Sequence, residues 1–180
     1  MKKINLIVAI LFFYSLSLNA QTAKVDYDAF EKLTVEVKEH RKTRLVDLSK
    51  FLQMAREKNT LILDTRSDSM YKSKHIKGAI HINFSDFTQK NLARIIPSMN
   101  TRILIYCNNN FEGDQINFAT KSVIPLSNSS TSTKPLTLAL NIPTYINLYG
   151  YGYKNVYELS ELVSVFDKKI EFEGSDVKKH

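Results

Sequence analysis

The chain contains a single cysteine, Cys107, among its 180 residues. It cannot form an intramolecular disulfide, although exported domains often use paired cysteines to stabilise their fold. A lone thiol that follows an apolar strand is either an inert core residue or a chemically used group. The residue alone leaves both interpretations open, so its surroundings have to decide between them.

After its first 20 residues the sequence has no apolar run long enough to span a bilayer. The N-terminus itself has the three parts of a secretory signal peptide: a positive start at Met1–Lys3, an uncharged apolar run at Ile4–Leu18, and the small residue Ala20 before polar sequence. The run of about 15 residues is shorter than the roughly 20 that a spanning helix needs. We therefore predict cleavage of residues 1–20 and export of the chain from Gln21 onward, to a periplasm or as a secreted protein without stable membrane insertion. An uncleaved membrane anchor is the alternative.

The sequence also has no basic stripe with interleaved aromatic residues, which nucleic-acid binding would require. The formal net charge of +7 falls to +5 without Lys2 and Lys3, and the remaining basic residues are scattered or lie near the ends of the chain. We expect no nucleic-acid partner. His75 and His81 lie on different predicted elements and do not have metal-ligand spacing, so we also expect no metal and no cofactor.

Apolar runs and capping residues predict an α/β fold. Strands are predicted at 60–63, 79–82, 102–106 and 155–159, and helices at 50–58, 67–74, 85–96 and 136–148. Residues 21–44 are taken as an N-terminal extension in which 33–37 adds a further strand. The alternation of strands and helices predicts an open parallel sheet with helices on both faces, and functional sites in such sheets lie beyond the carboxyl ends of the strands.

Several segments resemble the rhodanese family in order and spacing. The pattern of strand, Asp-x-Arg, short helix and His-Ile-x-Gly-Ala is matched by Leu61–Arg66, Tyr71 and His75–Ile82; the strand that leads to the active cysteine is matched by Arg102–Cys107, and the final strand by Gly152–Leu159. The resemblance predicts a rhodanese-like domain at 45–165, with an insertion near 123–134 and a C-terminal tail at 166–180.

The resemblance implies that Cys107 carries sulfur as a persulfide, taken from a sulfur donor and passed to a nucleophilic acceptor. A small sulfur compound or a protein acceptor would be the partner. Backbone N–H groups of the following loop would stabilise the thiolate, and a helix N-terminus would add to their effect. The loop comprises Asn108, Asn109, Asn110, Phe111, Glu112 and Gly113, and structural support is expected from Asp64, Arg66 and His75.

The loop departs from the family pattern because it has no Arg or Lys and contains the acidic residues Glu112 and Asp114. We expect these acids to disfavour both a thiolate and an anionic donor. Since no Arg follows Cys107 anywhere in the chain, the Cys-x5-Arg pattern of phosphatases on this fold is absent. Three functions remain open: a sulfurtransferase, a catalytically weak or inactive binding or regulatory module, and a thiol redox sensor.

Overall fold

The structure is a computed structural model that describes residues 23–120 and 139–178. The predicted signal peptide and the predicted insertion near 123–134 lie outside these residues. The strands are β1 (Leu45–Val46), β2 (Thr60–Asp64), β3 (His75–Ile76), β4 (Ile80–His81), β5 (Arg102–Tyr106), β6 (Phe111–Glu112), β7 (Val156–Leu159), β8 (Val163–Ser164) and β9 (Phe172–Glu173). The helices are α1 (Tyr27–Arg41), α2 (Leu48–Ala55), α3 (Asp68–Ser73), α4 (Gln89–Ile95) and α5 (Asn141–Gly150), with single 3-10 turns at Phe84–Asp86 and Asn108–Asn110.

The central sheet has five parallel strands in the order β1-β7-β5-β2-β4. Helices cover both of its faces: α1, α4 and α5 contribute to one apolar cluster, and α2 contributes to the other. The predicted open parallel sheet of an α/β fold is therefore confirmed. All four strands predicted around it are present within one residue or two of their expected bounds.

The middle strand β5 contributes to both cores because successive side chains of a strand point to opposite faces. Ile103 and Ile105 belong to the cluster on the α1, α4 and α5 side, whereas Leu104 and Tyr106 belong to the cluster on the α2 side. All four are almost fully buried. The chain therefore reaches Cys107 directly from the most enclosed strand of the domain.

The N-terminal extension is helical, and the strand predicted at 33–37 is wrong. Helix α1 begins after Asp26, whose carboxylate accepts a hydrogen bond of 2.8 Å from the Ala29 N–H. The β-branched residues of this segment suggested a strand. However, Leu33 and Val37 lie four residues apart, which places both on one helix face against the core. Tertiary burial of that face outweighs the local preference.

The sequence predicts a helix at 136–148. Within the described residues the helix is α5, which begins at Asn141 and continues to Gly150. The segment predicted as a helix at 85–96 is divided, because Phe84–Asp86 forms a 3-10 turn and Thr88 caps α4 by accepting a hydrogen bond of 3.2 Å from the Asn91 N–H.

Residues 166–178 belong to the predicted C-terminal tail at 166–180, but they pack against the domain. Strand β9 pairs antiparallel with β3, and the N–H groups of Ser175 and Asp176 donate to the carbonyl oxygens of Lys72 and Ser73 at 2.9 and 3.0 Å. Gly174 permits this approach. Its φ is +136°, and a Cβ at this position would lie 2.3 Å from the Ser73 carbonyl oxygen.

Gly174→Ala should therefore destabilise the domain by about 2–3 kcal/mol, since it combines a disfavoured backbone conformation with a steric clash against backbone. Gly78→Ala is the matched control: its φ is +79°, but a Cβ there would meet nothing within 4 Å. We expect that control to cost only about 1 kcal/mol. Urea unfolding measures both values, and equal costs for the two variants would contradict the close packing of the C-terminal segment.

Candidate active site

Cys107 lies at the carboxyl end of β5, in the middle of the sheet, where the rule for open parallel sheets places a functional site. Its side chain is nearly enclosed, since the residue is only 2% exposed. It borders a cavity of about 270 Å³. The cavity is lined by Arg66, Ser67, Met70, Cys107, Asn108, Asn109, Ala119, Thr120 and Leu140.

Three backbone N–H groups favour the charged form of the sulfur. The Asn109 N–H donates to Cys107 Sγ at 3.4 Å, and the N–H groups of Leu140 and Asn141, at the start of α5, also lower the pKa of the thiol. Donors at a helix N-terminus carry partial positive charge and favour a thiolate. This arrangement supplies the donors expected around the sulfur, but two of them come from α5, more than 30 residues after Cys107 in sequence.

The pKa of the Cys107 thiol is nevertheless raised. Burial is the largest cause, because it disfavours the charged form. The three N–H groups lower the pKa, and the negative charge of Glu158 raises it further. The site therefore holds donors suited to a thiolate together with two influences that oppose its formation.

The Asn residues after Cys107 hold the turn together instead of forming an open anion loop. They make a 3-10 turn, and none of the three has a positive φ. Asn110 Oδ1 accepts from the Cys107 N–H at 3.0 Å, while its Nδ2 donates to the Leu159 carbonyl at 2.7 Å. Asn108 and Asn109 border the cavity, and Asn110 fastens the turn to β7.

The second half of the predicted loop, Phe111 to Gly113, lies outside the cavity. Phe111 is buried in the core on the α2 side, where its ring contacts Tyr106 and Phe118. Glu112 is exposed on β6, and Gly113 follows with a φ of +92°. None of these three residues lines the cavity.

The acidic pair of the loop does not act on the sulfur as expected. Asp114 forms an ion pair of 3.0 Å with Lys74 and accepts hydrogen bonds from Asn117. The side chain of Glu112 is exposed on β6, which pairs with β8. The carboxylate that raises the pKa of Cys107 belongs to Glu158 on the neighbouring strand β7. The one signal in the sequence that could have indicated Glu158 is the presence of an acid within an apolar strand.

Asp64 and Arg66 form a buried ion pair of 2.7 Å, with side chains that are at most 2% exposed. The guanidinium also donates to the Asn108 side chain, to the Asn117 carbonyl and to the Lys74 carbonyl at 3.2, 3.0 and 2.7 Å. Arg66 therefore braces three segments around the cavity. Because Asp64 neutralises its charge, Arg66 lines the cavity without acting as an unpaired cation.

His75 lies away from the sulfur. Its Nδ1 lies 2.6 Å from the Tyr71 carbonyl oxygen, its Nε2 lies 3.2 Å from a Glu173 oxygen, and its ring stacks on Tyr71 with the centroids 3.8 Å apart. These contacts join α3 to the C-terminal strand β9. The ring of His81 also stacks on Tyr71, with the centroids 4.5 Å apart, and its Nε2 lies 2.9 Å from an Asp68 carboxylate oxygen.

Comparison with known proteins identifies the family of this chain. The model of the rhodanese-like domain matches residues 47–161. The chain belongs to the rhodanese-like domain family. The matched region covers four of the five strands of the central sheet, the Asp64–Arg66 pair and Cys107, and leaves α1 and β1 outside.

Two solved structures are similar to this rhodanese-like chain. A protein from Bacillus halodurans is 18% identical with a TM-score of 0.46, covering 83% of this chain and 88% of its own. A rhodanese with anions from E. coli is 17% identical with a TM-score of 0.38, covering 64% of this chain and 98% of its own. No curated protein matches the sequence.

No group of three or more His, Cys, Asp or Glu side chains within residues 23–120 and 139–178 could hold a metal ion. Among the helices formed by these residues, none has the length and apolar character to cross a membrane.

Glu158→Gln should lower the pKa of the Cys107 thiol, since it removes the negative charge that disfavours the thiolate. Glu112→Gln is the matched control and should leave that pKa unchanged. The measurement is the pH dependence of the thiolate ultraviolet absorbance, with Cys107→Ser as the blank. If the pKa of Cys107 shifted equally in the two variants, Glu112 would act on the sulfur as strongly as Glu158, which would contradict this assignment.

Proposed function

We propose that this rhodanese-like protein is a sulfurtransferase that carries sulfane sulfur as a persulfide on Cys107. The observation that supports the proposal best is the convergence of the Asn109, Leu140 and Asn141 N–H groups on Cys107 Sγ at the mouth of a cavity. An inert core cysteine has no need of three polar donors. The same donors would stabilise the sulfur whenever it bears negative charge.

In the first half of the reaction, the Cys107 thiolate attacks the outer sulfur of a sulfane-sulfur donor. A new S–S bond forms at Sγ, and the bond between the transferred sulfur and the rest of the donor breaks, so the donor leaves with the electron pair. In the second half, a nucleophilic acceptor attacks the outer sulfur of the persulfide. Cys107 Sγ then leaves as a thiolate, again facing the three N–H groups, and no external oxidant or reductant is consumed.

The donor and acceptor would be a small sulfur compound or a protein. The cavity is large enough for one sulfur-bearing group, and its bordering backbone and amide groups suit a neutral or weakly charged donor. We also propose that the mature chain works outside the cytoplasm, in a periplasm or as a secreted protein. This location rests on the three-part N-terminal sequence that ends at Ala20.

A second candidate function is a rhodanese-like binding module without turnover. The near-complete burial of Cys107 and the raised pKa of its thiol favour this alternative, because a reacting thiol has to meet its donor and ionise. In such a module the cavity would receive a partner group while Cys107 stayed unmodified.

Mass spectrometry separates the two candidates. Purified protein treated with an organic persulfide should gain one sulfur atom, because Cys107 can accept it beside the N–H donors. Cys107→Ser should gain none. Loss of that sulfur on addition of a thiol acceptor would complete the cycle. An unmodified wild-type chain at every donor concentration would reject the sulfurtransferase and favour the binding module.

Thiosulfate should be a poor donor compared with an organic persulfide. Arg66 is the cation that lines the cavity in the described residues, and Asp64 already neutralises it. An anionic donor therefore lacks an unpaired positive charge to meet there. Steady-state thiosulfate:cyanide assays run beside persulfide loading provide the comparison. Faster sulfur transfer from thiosulfate than from the organic persulfide would contradict the expected lack of unpaired positive charge in the cavity.

A further inference from the structure

The carboxylate of Glu158 is held inside the domain by groups from two helices. Its side chain is only 5% exposed. Arg41 of α1 binds it with two hydrogen bonds, from Nε to Oε2 at 2.5 Å and from Nη2 to Oε1 at 2.6 Å. Asn141 of α5 donates to Oε1 at 3.1 Å. This two-pronged guanidinium–carboxylate geometry is the strongest that a protein ion pair adopts.

Glu158 also lies beside Cys107. On the parallel strands β5 and β7 it is in register with Ile105, two residues before the cysteine. A chain of hydrogen bonds connects them: the Asn141 amide that binds Glu158 also donates to Asn110 Oδ1 at 3.1 Å, and this oxygen accepts the Cys107 N–H at 3.0 Å. The charge of Glu158 acts on the thiol through an interior with little water to screen it.

The charged and titratable groups on the elements packed around this network are few in the described residues. They are Glu158 and Tyr157 on β7, Arg41 and His40 on α1, Arg44 just before β1, Tyr145 on α5, and the Asp64–Arg66 pair at the end of β2. His40 and Tyr145 contact each other at 2.9 Å, and Asp64 and Arg66 neutralise each other. In the described part of the chain, Arg41 is the cation within ion-pair distance of Glu158.

Arg41 is not part of the region that matches the family. It is the last residue of α1, whereas the match begins at residue 47. Helix α1 packs against α5 and places Val37 in the core, so the position of Arg41 depends on how this extension docks. The N-terminal extension therefore acts on Cys107 through one ion pair, between Arg41 and Glu158.

We propose that Arg41 is a positioning residue for Cys107: the docked helix α1 neutralises Glu158 and so permits the thiolate that sulfur transfer requires. Without Arg41 the carboxylate would stand beside the thiol with its charge opposed by an amide alone. The consequence for sulfur transfer rests on the proposed function, but the effect on the thiol does not.

Arg41→Met tests this role. The pKa of Cys107 should rise by about half a unit to one unit, which lowers the thiolate population about threefold to tenfold at a fixed pH below that pKa. The measurement is the thiolate ultraviolet absorbance of the full chain against pH, with Cys107→Ser as the blank. Arg41→Lys keeps the positive charge and should return most of the shift.

Lys42→Met is the matched control, since Lys42 pairs with Glu39 on the surface and both side chains are more than 60% exposed. It should leave the Cys107 pKa at the wild-type value. In the double variant Arg41→Met with Glu158→Gln, the pKa should lie below that of Arg41→Met alone, because the carboxylate that Arg41 neutralises is also absent.

A purely structural role for Arg41 gives the opposite sign. If its loss only loosened α1, water would reach Cys107 and the pKa would fall towards that of an exposed thiol. A fall, or no change in a variant that stays folded by circular dichroism, would overturn the proposal. Because the absorbance needs no sulfur donor, a protein that never forms a persulfide but shows the predicted rise would reject the proposed function and keep this one.

Discussion

The site depends on how one buried carboxylate is held. Glu158 lies in the middle of β7, where a charge without partners would cost several kcal/mol. It is tolerated because Arg41 binds it with two hydrogen bonds and Asn141 adds a third. These contacts fix the end of α1 and the beginning of α5, and α5 in turn directs its first N–H groups to Cys107. The same charge that opposes the thiolate thus helps to assemble the donors that favour it.

Two opposing effects set the reactivity of Cys107, and both follow from its place in the fold. Burial beside β7 raises the thiol pKa, whereas the N–H groups of Asn109, Leu140 and Asn141 lower it. A nearly enclosed thiol is stabilised little by water but strongly by fixed dipoles, since dipoles are weakly screened in the interior. Such an environment favours a sulfur that reacts with a partner seated in the cavity over one that reacts freely with solutes.

Much of the fold could be predicted from the sequence because it depends on local patterns. The apolar runs at 60–63 and 102–106 are typical of buried strands, and the order of strands and helices leaves few topologies. The extension could not be assigned in this way: Thr34 and Val35 suggest a strand, and only the burial of Leu33 and Val37 against the rest of the domain makes the segment helical. A preference decided by tertiary contact is not visible in a window of five residues.

The site was predictable only in part, for a related reason. The sequence places Cys107 after the central strand, but the groups that act on its sulfur are distant in the chain. Glu112 is five residues away and its side chain is exposed on β6, while Glu158 is 51 residues away and faces the same core as the thiol. Adjacency in sequence is a poor guide here because the chain turns after the end of β5: Phe111 enters the core on the α2 side, whereas the next residue, Glu112, is exposed. In a parallel sheet the residues nearest a strand end belong to the neighbouring strands, and the charge that governs a cysteine at that position has to be sought there.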